Sequence, residues 1–428
     1  MKLLFVLLFN TVLVRCNVIR QFLESKDDDS ELYAVLTGGS TGIRNLFSET
    51  SVCLMYHILR KHGVKDENII TFAGDDNVNS TYSPWPGELR PQPGDPDVRQ
   101  GCRIDYSYKG LNFDLFAEAL IGNDTGGIFE HYPVLKSTSK DRVLLYHSSH
   151  GDSHEFEFGR EWVQADRLQK ALTAMHEKGM YKQLLYAFET CYSGSMFVDW
   201  LTPEYNILAY TASNPNEYAY GTSYKGWLLS GEFSCHLENF IEKEKDLGLS
   251  LSDQFEYIKS GVNKSEVCKY GNFELMSNKT NKFFGSSGKD YGIIEPSTCK
   301  IKTKVSLQEA DFYRLQYEIE EAEKDGDTAQ VRRLNEELQK LHSLREHINE
   351  KIDKFVNKMV TNRNFRANRN AKVDLECYGE VSRTFRKHCH YDNHKRIGKI
   401  NYDQLHNLCH SNVPTQVLAH ELALHCLS

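Results

Sequence analysis

Long apolar runs, basic excess and proline are what this 428-residue chain has little of. After the first 17 residues, no stretch reaches the ~18 apolar residues that a bilayer-spanning helix needs, so no membrane span is expected. Lys and Arg number 51 against 59 Asp and Glu, a formal net charge of −8, and an acidic chain is a poor partner for nucleic acid. The His-Glu-x-x-His pattern of helical zinc hydrolases is missing. The histidine-dense run "HCHYDNH" (388–394) reads as an exposed or pH-responsive set rather than a metal site. No metal and no cofactor is expected. Of ten prolines, five fall within residues 80–101, so that segment is expected to be a long, stiffened surface loop.

What is present suffices for a large core. Apolar residues make up 40% of the chain and aromatics 11%, the composition of a globular protein. The start, "MKLLFVLLFNTVLVRCN", joins a lysine, a short apolar run and a small residue at Cys16; residues 1–16 read as a signal peptide. Four Asn-X-Ser/Thr tripeptides, at Asn79, Asn123, Asn263 and Asn278, fit a glycosylated route. The expected location is the secretory pathway, ending in a lysosome or acidic vacuole or outside the cell. Ten of the 11 cysteines remain once Cys16 leaves with the leader. If Cys191 is a free nucleophile, at least one other thiol must be unpaired. Cys53 is the expected one, because Val52, Met55, Tyr56 and Leu59 around it have the helical spacing of a core segment. Cys377, Cys389, Cys409 and Cys426 lie within about 50 residues and read as a disulfide-stapled module.

From Tyr33 to about Gly285 the pattern alternates strands and helices. "YAVLTGG" (33–39), "NIITFAG" (68–74), "RVLLYHSSHG" (142–151), "QLLYAFETC" (183–191) and "NILAYTAS" (206–213) are short apolar runs that end in small or polar residues. Runs without alternation suggest strands buried on both faces, hence a mostly parallel sheet covered by helices. From Ser306 the texture becomes charged and helical; "KDGD" (324–327) divides it, and Leu334, Leu338, Leu341 and Leu344 form a narrow apolar stripe. Residues 362–428 carry ten basic against six acidic side chains and seven of the 17 histidines.

Parallel sheets build their sites at the carboxyl ends of strands. "HSSHG" puts His150 at one such end and "ETCYSG" puts Cys191 at another. A thiol attacks only as thiolate, and a nearby imidazole helps to form and use it. Neighbouring strands are ~5 Å apart, so the two side chains can face one cleft. Gly151 would let its backbone N–H approach a substrate carbonyl and, with the N–H of Cys191, form an oxyanion hole.

"AVLTGGSTG" (34–42), "VCLMYHIL" (52–59), "HG" (150–151), "ETCYSGSMF" (189–197), "YTASNPNEYAY" (210–220) and "GEFS" (231–234) together resemble legumain, the asparaginyl endopeptidase family of clan CD cysteine peptidases. The late cysteine spacing resembles the legumain prodomain, so the likeness covers nearly the whole chain. It implies a caspase-like α/β/α sandwich over residues 30–290, a linker and helical activation segment over 291–361, and a helical, disulfide-bonded inhibitory prodomain over 362–428. It implies Cys191 as nucleophile, His150 as the catalytic imidazole and Asn45 as the group that orients it. It implies the pairs Cys377–Cys409 and Cys389–Cys426. The implied partners are protein or peptide substrates, the chain's own prodomain and cystatin-type inhibitors.

The selectivity pocket departs from the family pattern. The family's Arg-His pair falls on Phe47 and Ser48, two pocket serines fall on Tyr218 and Ala219, and a pocket aspartate falls on Glu232; Glu189 is retained. Arg44 is near in sequence but in the wrong register. The aspartate before the histidine is replaced by Ser149. A site for a carboxamide needs both a donor and an acceptor, so a weaker preference for Asn and little cleavage after Asp are expected. The sequence leaves two other readings open: a transpeptidase or ligase of the same family, and a non-catalytic binding protein that retains the fold.

Overall fold

The computed structural model describes residues 30–42, 45–76, 78, 83–123, 132–243, 248–286, 304–362, 374–389, 400–410 and 413–427. The leader, Arg44, Asn79, Cys299 and most of the 388–394 run lie outside the described residues.

The elements run β1 (Leu32–Gly38), α1 (Leu46–Lys61), β2 (Ile69–Phe72), α2 (Phe113–Leu120), β3 (Arg142–Ser148), β4 (Gly151–Asp152), β5 (Glu155–Phe158), β6 (Glu161–Gln164), α3 (Ala165–Glu177), β7 (Gln183–Glu189), β8 (Ile207–Thr211), β9 (Tyr220–Tyr224), β10 (Trp227–Gly231), α4 (Glu232–Lys243), α5 (Leu251–Gly261), β11 (Cys268–Gly271), α6 (Asn281–Phe284), β12 (Lys304–Ser306), α7 (Ala310–Lys324), α8 (Thr328–Asn362), α9 (Leu375–His388), α10 (Tyr402–Leu408) and α11 (Thr415–Leu427). Six strands make the central sheet, in the order β11-β8-β7-β3-β1-β2. Every pairing in it is parallel except that of the edge strand β11 with β8.

The unbroken apolar runs follow from burial on both faces. Ala34, Leu36, Leu144, Tyr146, Leu185 and Ala187 point into one core with α1 and α4. Val35, Val143, Leu145, Leu184, Tyr186 and Phe188 point into the other, against α2 and α3. Period-2 side-chain alternation thus feeds two cores from the same strands, giving the α/β/α sandwich.

Cys53 is corrected here. It is fully buried in α1 as its spacing implies, but it is bonded to Cys102. The bond ties the end of the proline-bearing loop to the core, beside the tight turn at Gly101 (φ +76°). Cys235 is also disulfide-bonded. The free thiols among the described residues are Cys191 and Cys268, so Cys268 takes the role expected of Cys53. Helical spacing reports burial, and a buried cysteine pairs or not according to what loop lies above it. The Cys53–Cys102 bond spans 49 residues, and loop-entropy reasoning gives it about 3–5 kcal/mol. Converting both cysteines to alanine should lower the urea midpoint accordingly; an unchanged midpoint would refute the estimate.

The C-terminal helices form a third core. Leu334, Leu341, Ile348, Ile352, Phe355 and Met359 of α8 are buried with Val381, Phe385, Tyr402, Leu405, Leu418 and Leu422. The turn at 325–327 separates α7 from α8, with Gly326 in the left-handed region (φ +73°). Cys377–Cys409 and Cys389–Cys426 staple this unit.

Candidate active site

Three strand ends converge. Asn45 opens α1 just after β1, His150 follows β3, and Cys191 follows β7, and all three side chains are buried or nearly so. Asn45 gives its Nδ2 hydrogen to Thr41 O at 2.6 Å, which turns its Oδ1 toward His150 Nε2 at 2.7 Å. That contact puts the ring proton on Nε2, so proton exchange with a bound molecule falls to Nδ1. Phe47 lies edge-on to the same ring at 5.3 Å, and the His150 backbone N–H donates to Ser40 Oγ at 3.1 Å. The histidine is therefore held through ring, ring edge and backbone.

The turn after β7 is tight. Tyr192 has a left-handed φ of +54°, a costly position for a residue with a Cβ. Its N–H donates to Glu217 O at 2.8 Å, which holds the bend. Gly151 must be glycine for a steric reason: a Cβ there would stand 2.6 Å from Cys191 O and 2.7 Å from the Thr190 side chain. The backbone of one strand end is pressed against that of the next, as two converging N–H donors require.

Cys191 is fully buried, and its thiol donates to Ala219 O at 3.7 Å. Burial pushes this thiol up to about 12, with Asp152 adding to the rise and the backbone of Gln308 and Ala219 opposing it. What buries it is the segment before α7. β12 pairs antiparallel with β9, Val305 opposite Gly221 and Ser306 opposite Tyr220. Leu307 continues the ladder by giving its N–H to Ala219 O at 3.0 Å. Gln308 then crosses the cleft; its N–H donates to Ser306 Oγ at 3.2 Å and its side-chain amide to Asp152 Oδ2 at 3.3 Å.

The pocket residues read from the sequence divide into two groups. Glu189 is fully buried, accepts from Ser234 N at 3.2 Å, from the Ser234 hydroxyl and from Ser148 Oγ at 3.4 Å, and burial raises its carboxyl to about 7. Ser48 is committed to backbone: its hydroxyl donates to Ser148 O at 2.8 Å and accepts from Ser40 N at 3.1 Å. Phe47, Ser48, Ala219 and Glu189 thus flank the cleft. Glu232 is turned away, accepting from Asn263 N at 3.1 Å, and Tyr218 is half-buried edge-on to Tyr192 at 5.6 Å. Ser149 serves a different buried histidine, its Oγ 2.7 Å from His147 Nε2; burial lowers His147 to about 3. Of the sequon asparagines described, Asn123 and Asn263 are exposed and Asn278 is half-buried.

The residues that the sequence did not disclose lie on the far side of the cleft. Arg386 of α9 donates through Nε to both Glu155 oxygens, at 2.9 and 3.0 Å, and its guanidinium stacks 3.9 Å from the Trp162 ring. Ser382 Oγ donates to Glu155 Oε2 at 2.7 Å, Tyr378 OH to Ser153 O at 2.8 Å, and Arg383 pairs with Asp166 at 3.1 Å. His406 of α10 stacks 5.0 Å from His154, whose Nε2 is 3.2 Å from Asp199. Basic composition signalled this contact; the partners could not be read because they meet across more than 200 residues of sequence. Among the described residues no group of side chains could hold a metal ion, and no helix is long and apolar enough to cross a membrane.

A sequence model of the Peptidase C13 family matches residues 32–286. The Schistosoma japonicum protein named hemoglobinase is 29% identical over 394 residues, 90% of each chain. Mus musculus legumain is 26% identical over 423 residues, 95% of each chain. The Citrus sinensis vacuolar-processing enzyme is 27% identical, over 92% of this chain and 84% of that one. A crystal structure of caspase-1 from Spodoptera frugiperda superposes with a TM-score of 0.35 and 10% identity, over 61% of this chain and 92% of that chain.

Proposed function

The chain belongs to the Peptidase C13 family of cysteine endopeptidases, and we propose that it is a latent, acid-released member whose nucleophile is Cys191 and whose inhibitor is its own C-terminal half. The observation that supports this most directly is β12, which lies along β9 as a substrate strand would and carries its chain over Cys191. In the open enzyme, Cys191 gives its thiol proton to His150 Nδ1 and its Sγ forms a bond to the substrate carbonyl carbon, while the N–H groups of Gly151 and Cys191 receive the oxyanion. The C–N bond breaks as the leaving nitrogen takes a proton from His150. Water, deprotonated by His150, then attacks the thioester; the acid leaves, and the thiol and imidazole are restored. In the closed form the thiol is protonated by virtue of its burial, which is chemical as well as steric latency.

Acid release rests on groups at the cap contact. His406 faces His154, Asp199 and Tyr378 of the neighbouring elements and His410 of its own unit. Burial first, then His154 and His410, lowers it to about 4. Undocked it would take its proton near the ordinary ~6.5. Between those values the undocked form binds more protons, so docking weakens as pH falls through that window. Asp152 works the other way: burial and Glu155 raise it, so its protonation favours the docked form and offsets part of the effect. Peptide hydrolysis and size-exclusion elution of the full-length protein, followed from neutral to acid pH, test the proposal. The His406→Phe variant, which keeps the stack and cannot titrate, should stay latent to a lower pH. A full-length protein already fully active at neutral pH would refute the proposal.

A further inference from the structure

We propose that the S1 pocket of this peptidase selects an aliphatic, leucine-sized residue rather than a carboxamide, and that Leu307 occupies that pocket in the latent form. This rests on the peptidase reading above and names its substrate class. The ladder fixes the register. Val305 and Ser306 pair with β9, Leu307 N–H reaches Ala219 O, and the next backbone unit, that of Gln308, lies within hydrogen-bonding reach of the Cys191 thiol. The peptide bond between Leu307 and Gln308 is therefore the one presented to the nucleophile, and Leu307 is the P1 residue.

Its side chain is fully buried in the same apolar cluster as Phe47, Ala219, Leu228 and Phe233. The room for it is made by glycine: a Cβ on Gly221 would stand 2.6 Å from Leu228 Cδ1 and 3.0 Å from Leu307 Cδ2. Across the hairpin from Gly221 is Gly231, where a Cβ would collide with the Glu189 carboxyl at 2.0 Å. That carboxyl already accepts from both Ser234 groups and from Ser148. Its raised pKa leaves it largely uncharged in acid, so an apolar neighbour costs little there. Ser48 has both its roles filled by backbone, and Glu232 accepts from Asn263 N. An asparagine side chain would find the Ser48 hydroxyl and the Glu189 carboxyl already paired, whereas a leucine needs no such partner. Latency in spite of a preferred residue follows from what comes next: Gln308 N–H is held by Ser306 Oγ and the chain turns at once into a helix, so the leaving nitrogen is tied into its own turn.

The test uses two internally quenched peptides, Lys-Val-Ser-Leu-Gln-Glu-Ala-Asp and the same peptide with Asn in place of Leu. They are digested by acid-treated full-length protein, with Cys191→Ala as the blank and cleavage sites read by mass spectrometry. Cleavage after Leu with kcat/KM at least about tenfold above that after Asn is expected. Equal or faster cleavage after Asn overturns the inference and leaves the peptidase reading standing. So does Cys191-dependent digestion of casein with neither peptide cut. No Cys191-dependent digestion of any substrate at any pH overturns the peptidase reading and the inference with it.

Discussion

On the proposal that Cys191 is the nucleophile, Cys191→Ala should reduce peptide hydrolysis by at least about 10⁴-fold. The loss should come with little change in melting temperature. The hydrogen bond that the thiol donates is the weak contact to Ala219 O at 3.7 Å, and an alanine methyl fits where a fully buried Sγ now sits. Hydrolysis of a peptide substrate and thermal unfolding, measured on the same preparation, separate the two effects. Residual activity within a factor of ten of the parent would show that another nucleophile carries the reaction.

The second large effect is expected at Arg386. Glu155 is completely buried and Arg386 nearly so, and the pair joins the C-terminal helices to the small β4-β5-β6 sheet beside the cleft. Arg386→Ala leaves the Glu155 carboxylate buried with only Ser382 and Gln164 as partners. Removing one member of such a pair costs about 3–5 kcal/mol, which corresponds to roughly 10²–10⁴-fold in the docking equilibrium. The variant should therefore hydrolyse substrate at neutral pH without prior acid treatment, and it should elute earlier on size exclusion as the helices swing free. A variant that stays latent and compact at neutral pH would mean that the ion pair is not what holds the cap. A point substitution is preferable to truncation at residue 362, since α8 shares its core with α9, α10 and α11 and would be left with an exposed apolar stripe.

The place of the candidate site was legible in the sequence because it is marked locally. His150, Gly151, Glu189 and Cys191 each sit at or just beyond the end of an apolar run, and strand ends are where parallel sheets place their sites. Asn45 needed the family resemblance, since a lone asparagine at a helix start is more simply read as a cap. The division of the helices at 324–327 was legible from its Gly and Asp. The bond between Cys53 and Cys102 was not, because helical periodicity gives the burial of one partner and says nothing of a loop 49 residues away. The pocket substitutions at Phe47 and Ser48 were visible, but their meaning was not. It depends on how Ser234, Ser148 and Asn263 occupy the neighbouring carboxyls, and those contacts join residues that no local pattern links. Val305, Ser306 and Leu307 passed unnoticed for the same reason: three residues carry too little periodicity to announce a strand, and this one pairs only with a hairpin formed some 80 residues earlier.

The position of β12 has a consequence for how the enzyme would be switched on. The exposed turn between α7 and α8 follows residues 304–309 in the chain, so a nick at 325–327 leaves those residues still joined to the peptidase through 287–303. A tethered segment competes with substrate at an effective concentration set by its covalent connection, and not at its own bulk concentration, which is vanishingly small. The same hexapeptide added in solution could thus be a poor inhibitor while the attached copy keeps the cleft closed. Severing that connection, rather than the turn, is what would convert a reversible latch into an irreversible release.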